Sequence, residues 1–584
     1  MKNRKRNAGA QGKTFLKYKV GFLGIPDSVM DESGPPDGKK GWHAEVPWNR
    51  ENLSALQRLG FNTIQINVAW GSRPGDEALN LEDIVEPSPQ IARRFPQIVP
   101  LRCNPSPERR QERRADLQQR IGLCRELGLR TIFHFGAPFN AHLRYGDGPP
   151  NCLLDGKTVR RYEHLLEVFA REFKGVDDIQ LYTYDQDAWL CSEFGPCPRC
   201  LGIPLHERLV PFIDLLARVW RKARPQGRLW WEPWELSAGQ VLRCVEQLDP
   251  QTIGLALHAN IAEAQATLPV DRWLRNTCQL ADRRGLPVIV EYFLGGSNEE
   301  VEPLAHLAHP LVTFRGLKRI SELPGVVGIK EYYGLNPTTE DPDLRVTGLF
   351  FADPDTTEDE ALQKLARPYG RAAKGVADFW RMASEALELF PWETSWWIRE
   401  LGRSNPAHSL SAAMIRGQQA HTPSWESTRR ALFMKTDDLQ PDPWMFEDVE
   451  LRCRLAAEAW QKAEALGRKL LPAVPATLSG AFRESLRDLA KAQTRARAYA
   501  FHLRETNLAN ILRQPRKNGG KVPGHIVKQL KDTMKADLDY QKGKWPEMTA
   551  ALALLQRDLP RFLKTHFVEE TDRSSKGRFS MTSR

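Results

Sequence analysis

The sequence predicts an α/β protein in which a (β/α)8 barrel is followed by an α-helical C-terminal region. Three observations lead to this prediction: eight short apolar runs alternate with helical segments, the runs stop near Phe351, and only helical periodicity follows. Strands that are apolar on both faces are typical of a parallel sheet covered by helices. Eight strand–helix units within the first 355 residues match the closed barrel in number and size.

The predicted strands are rich in β-branched and aromatic residues. In chain order they are Tyr18–Asp27, Phe61–Trp70, Arg130–Pro138, Ile179–Asp187, Arg228–Glu235, Thr252–Asn260, Leu286–Gly295 and Val326–Gly334. Three intervening helices end at Gly60, Gly128 and Gly285, where a left-handed cap would close the helix before the next strand. A doubly wound open sheet is the rival fold, but "GFLGIPDS" after the first strand lacks the G-x-G-x-x-G turn typical of it.

After the barrel, four segments show the apolar spacing of helices in a bundle: 359–390, 446–471, 480–514 and 545–567. A polar linker, "RQPRKNGGKVPG" (513–524), is expected between the last two of them. The predicted organisation is a basic N-terminal tail (1–16), a barrel (17–355), a helical domain (356–570) and a polar tail (571–584).

Composition and charge narrow the functional classes. The chain has 83 basic and 73 acidic residues, and much of the net charge of +10 sits at the two ends, so nucleic acid is not expected as a partner. The first residues of the sequence are polar and are not expected to form a secretory signal, and no apolar run is long enough to span a membrane. Nine dispersed cysteines are typical of reduced thiols, so we expect a cytoplasmic protein. The helical region is a candidate homodimer contact.

In a barrel of this kind the active site lies at the carboxyl ends of the strands. Acidic and aromatic residues are concentrated at these predicted ends, whereas opposite ends such as "VVG", "TIG" and "LPV" have neither. Polar residues are also expected wherever an apolar strand reaches solvent, and this alone accounts for some of the acids at the strand ends. Aromatic rings that stack on a sugar, together with paired carboxylates, are what glycosidic bond cleavage requires. The predicted substrate-binding residues are Asp27, Trp70, His134, Trp231, Glu232, Trp234, His258, Tyr292 and Tyr333.

The segment "YDQDAWLCSEFGPCPRC", which begins at Tyr184, carries the most specific motif. With an acid after strand four and a glutamate after strand seven, the chain resembles the (β/α)8-barrel glycoside hydrolases. More narrowly, the segment is similar to distant relatives of the family 20 hexosaminidases and family 67 α-glucuronidases. The sequence departs from them in having no Asp-Glu doublet at strand four and no β-domain ahead of the barrel.

The resemblance implies catalytic roles for four acids. Asp185 would be the general acid or would orient an N-acetyl group, and Asp187 is its alternative. Glu291 would be the nucleophile or base, with Glu331 as the other candidate. The resulting prediction is an exo-acting glycoside hydrolase of oligosaccharides that needs no cofactor. The alternative is a non-catalytic carbohydrate-binding or scaffold protein that keeps a degenerate glycosidase barrel.

Three cysteines follow strand four. Cys191, Cys197 and Cys200, with His206, offer three or four ligands for a structural zinc, but C-x5-C-x2-C is not a standard zinc spacing. A disulfide is disfavoured in cytoplasm. Thiols that pack the loop are the preferred interpretation, so no metal is predicted, and the structural metal stays the alternative.

Overall fold

The structure is a computed structural model of the full chain. It describes residues 16–24, 46–69, 80–97, 106–138, 151–183, 190–191, 193, 197–233, 236–259, 270, 272–295, 308–332, 334–390, 443–517, 521–542 and 546–566.

The predicted barrel is confirmed: eight strands form one closed sheet in the sequential order β1 to β8. All eight neighbouring pairs are parallel, including β8 with β1. The strands are β1 (Tyr18–Gly21), β2 (Thr63–Gln65), β3 (Arg130–Gly136), β4 (Asp178–Tyr182), β5 (Leu229–Glu232), β6 (Ile253–His258), β7 (Val288–Tyr292) and β8 (Val326–Glu331). Because every strand is almost wholly buried, each one reads as a near-continuous apolar run.

A compact apolar cluster fills the N-terminal half of the barrel interior. Its buried members are Tyr18, Val20, Ile132, Trp230, Ala256 and Ile289. Trp230 packs edge-on against Tyr18, with ring centroids 5.0 Å apart. Gly254 on the neighbouring strand makes room for this indole, because a Cβ there would lie 2.3 Å from the Trp230 ring. On β3, β5 and β7, the side chains two residues further along the strand therefore face the C-terminal half of the interior.

Helices cover the outside of the barrel. They are α1 (Arg50–Arg58), α2 (Pro89–Arg94), α3 (Pro107–Glu126), α4 (Gly156–Glu172), α5 (Leu205–Ala223), α6 (Ala238–Val245), α7 (Arg272–Arg284), α8 (Pro310–Ser321) and α9 (Pro342–Ala352). Gly60, Gly128 and Gly285 have φ values of +92°, +68° and +75°, which confirms the left-handed conformation predicted after α1, α3 and α7.

The C-terminal region is helical, as predicted. It contains α10 (Glu358–Ala366), α11 (Ala373–Leu389), α12 (Pro443–Leu470), α13 (Ala476–Lys517), α14 (Gly524–Tyr540), α15 (Pro546–Arg557) and α16 (Leu559–His566). Two boundaries differ from the expectation. The α13 helix runs through Pro515 to Lys517, so most of the basic part of the expected linker is helical. The last predicted helix is split in two next to Pro560, which cannot donate a backbone hydrogen bond.

The barrel and the first helices after it share one apolar core. A single cluster of buried residues runs from Leu16 to Leu503, and the end of α13 with α14, α15 and α16 has a second cluster. The indole of Trp460 in α12 donates a hydrogen bond to the carbonyl of Ala383 in α11, at 3.3 Å. Among the described helices, none combines the length and the apolar character that a bilayer crossing requires.

Candidate functional site

A layer of polar side chains lies in the barrel interior above the apolar cluster. Its members are His134 on β3, Gln180 on β4, Glu232 on β5, Glu291 on β7 and Lys330 on β8, and all five are buried. Glu232, Glu291 and Lys330 are among the last two residues of their strands. The layer is thus at the end of the barrel where active sites of this fold are found.

Gln180 connects the two glutamates of this layer. Its Nε2 atom donates to Glu232 Oε2 at 2.5 Å and to Glu291 Oε1 at 3.1 Å. Those two carboxyl oxygens are therefore no more than 5.6 Å apart, the sum of the two distances. The Nζ atom of Lys330 forms an ion pair with Glu291 Oε1, and both side chains are fully buried. The arrangement places two carboxyl groups and one cation close together in a region of low dielectric.

His134 is held by its neighbours in one orientation. The backbone N–H of Ala69 donates to His134 Nδ1 at 3.2 Å, and His134 Nε2 lies 2.8 Å from Glu232 Oε2. Because Nδ1 accepts a hydrogen bond, the ring proton of neutral His134 lies on Nε2, the atom that faces Glu232. The amide of Asn67 fixes the backbone on either side, accepting from the His134 N–H at 2.8 Å and donating to its carbonyl at 2.6 Å.

The surroundings shift the acidity of both glutamates in the same direction. Burial raises the pKa of Glu232, and Lys330 and the hydrogen bond from Gln180 oppose this shift only in part. Burial also raises the pKa of Glu291, and the nearby charge of Glu232 raises it further, against the opposing effect of Lys330. A buried carboxyl with a raised pKa at the end of a barrel strand has the properties of an acid–base group.

The other predicted site residues in the described part of the chain contact other elements. The Glu331 carboxylate accepts hydrogen bonds from the backbone N–H groups of Leu294, at 2.8 Å, and Gly334, at 3.2 Å. It therefore links the segments that follow β7 and β8. The His258 ring stacks on Trp273 of α7, with ring centroids 5.6 Å apart.

Two predicted aromatic residues point away from the barrel axis. Trp231 follows the inward-facing Trp230, so it lies on the outer face of β5, where its indole donates to Thr183 Oγ1 at 2.9 Å. Tyr292 follows Glu291 in the same way and packs against Gly316 of α8, its hydroxyl donating to the Val312 carbonyl at 3.3 Å. Neither ring is placed to stack on a sugar at the barrel mouth.

Six predicted residues lie outside the described residues. They are Asp27, Trp70, Asp185, Asp187, Trp234 and Tyr333. Their roles stay predictions.

Two members of the polar layer were not singled out in the sequence. Gln180 and Lys330 stand inside apolar strands, Gln180 five residues before Asp185 and Lys330 next to Glu331. The two-residue period of a strand could have found them, because Gln180, Glu232, Glu291 and Lys330 all occupy inward positions. Sequence reasoning weighted the last polar residue of each strand and so favoured Glu331 over Lys330.

A cavity of about 390 Å³ lies outside the barrel, between α1, α9, α10 and α11. Its lining includes Arg58, Arg345, Lys364, Tyr369 and Trp380. It shares no lining residue with the polar layer. We therefore assign the candidate site to the barrel interior, where the carboxyl groups are, rather than to this cavity.

Comparisons with known proteins identify the fold. No family profile and no curated protein matches the sequence. A solved family 138 glycoside hydrolase that targets pectin rhamnogalacturonan II is similar with a TM-score of 0.56 and 11% identity. The match covers 93% of this chain and 63% of that one, so the chain spans less than two thirds of its length.

Two further glycosidase structures match a smaller share of the chain. They are a family 5 xyloglucanase from Paenibacillus pabuli (TM-score 0.33, 12% identity, 58% of this chain and 99% of that one) and an α-amylase from Geobacillus thermoleovorans (0.34, 12%, 59% and 80%). The solved structures named here are glycosidases, and the similarity establishes a fold that this chain shares with a glycoside hydrolase. The narrower resemblance to hexosaminidases and α-glucuronidases gains no support from these matches.

Proposed function

We propose that the protein is a glycoside hydrolase that uses carboxyl groups at the C-terminal ends of its barrel strands. The observation that carries this proposal is the pair Glu232 and Glu291, two buried glutamates with raised pKa values and oxygens at most 5.6 Å apart. Glycosidic bond cleavage needs two carboxyl groups at related positions, one to protonate the leaving oxygen and one to attack the anomeric carbon or activate water.

Glu291 is the group we assign as nucleophile or base. It is the last residue but one of β7, and its ion pair with Lys330 opposes the rise in pKa that burial and Glu232 cause, so that part of the group stays ionised for attack. Asp185, which follows β4 in the sequence, is the proposed general acid, and Asp187 is its alternative. Glu232, the other member of the buried pair, has a raised pKa and is a further candidate for the general acid. Glu331 is a weaker candidate because two backbone N–H groups already hold its carboxylate.

Oligosaccharides are the proposed substrates, attacked from one end. The similar family 138 enzyme targets a pectin, so pectic oligosaccharides belong in the first substrate screen beside glycosides, uronides and N-acetylhexosaminides. The anomeric configuration of the first product, read by proton NMR, would separate retention from inversion. Retention is expected of carboxyl groups about 5–5.5 Å apart and inversion of groups about 6.5–9.5 Å apart.

The test is turnover of the best substrate by Glu291→Gln and Asp185→Asn variants. Each change should lower kcat/KM by at least about a hundredfold, because each removes a group that acts in the transition state. Glu246→Gln, at the exposed residue that follows α6, is the matched control and should leave turnover unchanged. Full activity in both active-site variants would refute the assignment.

A non-catalytic carbohydrate-binding barrel is the second candidate, and one observation favours it. Glu232 and Glu291 are both completely buried, and Glu291 is paired with Lys330, an arrangement that also suits a purely structural network. Calorimetric binding of an oligosaccharide that is never cleaved, with unchanged affinity in Glu291→Gln, would support this candidate.

A further inference from the structure

Four cysteines form a compact group beside the barrel. Their sulfur atoms all lie within 4.8 Å of one another, and the members are Cys152, Cys191, Cys197 and Cys200. Cys191 is partly buried and the other three are buried. The sequence had suggested three of these residues together with His206. The structure supplies Cys152, 39 positions earlier in the chain than Cys191, as the fourth member instead.

The spacing of the sulfur atoms fits a tetrahedral metal site. Four thiolates at about 2.3 Å from a zinc ion are about 3.8 Å from one another, so a small contraction of the group would complete the coordination. A disulfide would need two sulfur atoms at about 2.05 Å, and it would use only two of the four thiols at a time. Packing alone gives no reason for four thiols from separate segments to converge.

The polypeptide around the group has the features of a ligand loop. The backbone N–H of Leu154 donates to Cys152 Sγ at 3.4 Å, a bond that favours the thiolate. After Cys197-x-x-Cys200 the chain turns back, the N–H of Leu201 donating to the Cys197 carbonyl at 3.1 Å. Gly202 follows with φ of +74°, a conformation that other residues rarely adopt.

A buried arginine lies next to the group. Arg208, in the first turns of α5, is 2% exposed, and its guanidinium donates to the Cys191 carbonyl at 2.5 Å. Arg199 lies 3.4 Å from Asp155, which ties the Cys197–Cys200 segment to the segment of Cys152. A zinc ion with four thiolates has a net charge of −2, so a buried arginine beside it lowers the cost of burial.

We propose that Cys152, Cys191, Cys197 and Cys200 bind one structural zinc ion that joins the loop between β3 and α4 to the loop between β4 and α5. Binding releases the four thiol protons and involves no change of oxidation state. Both loops follow the carboxyl ends of barrel strands, where the site is expected. If the proposed hydrolase function holds, the ion also braces the segment after β4 that carries Asp185.

The experiment measures metal in the full chain, expressed with added zinc and purified under reducing conditions without chelator. Elemental analysis should find one zinc per chain, and X-ray absorption should show four sulfur ligands at about 2.3 Å. Cys152→Ser and Cys197→Ser should each reduce the zinc content at least about tenfold. Cys244→Ala in α6 removes a buried thiol outside the group and is the matched control, with zinc retained.

The absorption measurement uses the unaltered protein, so the proposal can be judged even where a serine variant does not fold. Less than about 0.1 zinc per chain, nitrogen or oxygen ligands, or full zinc in Cys152→Ser would overturn the four-cysteine site. Iron in place of zinc would overturn the choice of metal. None of these measurements depends on turnover, so a failed metal site and a failed hydrolase assignment give different results.

Discussion

The ion pair between Lys330 and Glu291 offers the sharpest test of the polar layer. In Lys330→Met the aliphatic part of the side chain is kept and its charge is removed, which leaves Glu232 and Glu291 as two buried carboxyl groups without a nearby lysine. Removing one partner of a buried ion pair costs roughly 3–5 kcal/mol in the free energy of unfolding. That cost corresponds to a fall of several degrees in the midpoint of thermal unfolding.

The pH dependence of this loss follows from the direction of the pKa shift. Burial and the charge of Glu232 raise the pKa of Glu291 above 4.5 in the folded chain, and Lys330 opposes the shift. The folded chain then binds the proton more tightly than the unfolded chain does. The free energy of unfolding therefore falls as the pH rises from about 4.5 through the folded pKa. Without Lys330 the folded pKa is higher still, so the loss should be larger at pH 8 than at pH 5.

Calorimetric unfolding midpoints of the full chain at the two pH values measure the effect. Lys364→Met, which removes an exposed lysine from α10, is the control. It should lower the free energy of unfolding by at most about 1 kcal/mol at both pH values. Glu291→Gln in the Lys330→Met background should recover much of the lost stability, because it removes the uncompensated charge. An equal loss at pH 5 and pH 8 with no recovery in the double variant would refute the electrostatic reasoning.

Three further predictions concern packing, a second buried pair and partners. Gly254→Ala should destabilise the barrel by about 1–3 kcal/mol because its Cβ meets the Trp230 ring, whereas Gly239→Ala, which meets nothing within 4 Å, should change unfolding by no more than about 1 kcal/mol. Burial lowers the pKa of His309, but interactions led by the carboxylate of Asp343, 2.9 Å from the His309 Nδ1 atom, together offset this and leave the pKa raised. The stability from this pair is complete below pH 6.5 and is lost as the pH rises through the folded pKa, so Asp343→Asn should destabilise the chain more at pH 6 than at pH 9 by thermal unfolding. The chain should not bind DNA or RNA in a filter-binding assay at low salt, and an affinity with a steep salt dependence would contradict the charge analysis.

The repeating unit of the fold could be predicted from the sequence because each element leaves a local signal. A strand buried on both faces must be apolar along its length, and a helix that ends before a sharp return needs a residue such as Gly128 that tolerates positive φ. Even the split at Pro560 has a local cause that the sequence contains. What local patterns left out is the exact extent of α13, whose end packs with α14, α15 and α16 in the second apolar cluster.

The candidate site was predicted only in part, and the reason is register. A strand end is visible in the sequence, and Glu232 and Glu291 were predicted from it, whereas His134 was predicted as a histidine within an apolar strand. Which side of the sheet a side chain faces depends on how eight strands close into a barrel. Lys330 and Glu291 therefore meet inside the barrel, whereas their neighbours Glu331 and Tyr292 make their contacts elsewhere.

By itself the sequence determined that eight strands alternate with helices, that a helical region follows, and that acidic and aromatic residues gather near the strand ends. These are properties of short segments, set by hydrophobic period, turn residues and length. Only the tertiary structure decided which distant residues meet: Gln180 with Glu232 and Glu291, Lys330 with Glu291, and Cys152 with the three cysteines after β4. Closure of the barrel brings these side chains within a few ångströms of one another, and no local pattern encodes a distance between segments so far apart in the chain.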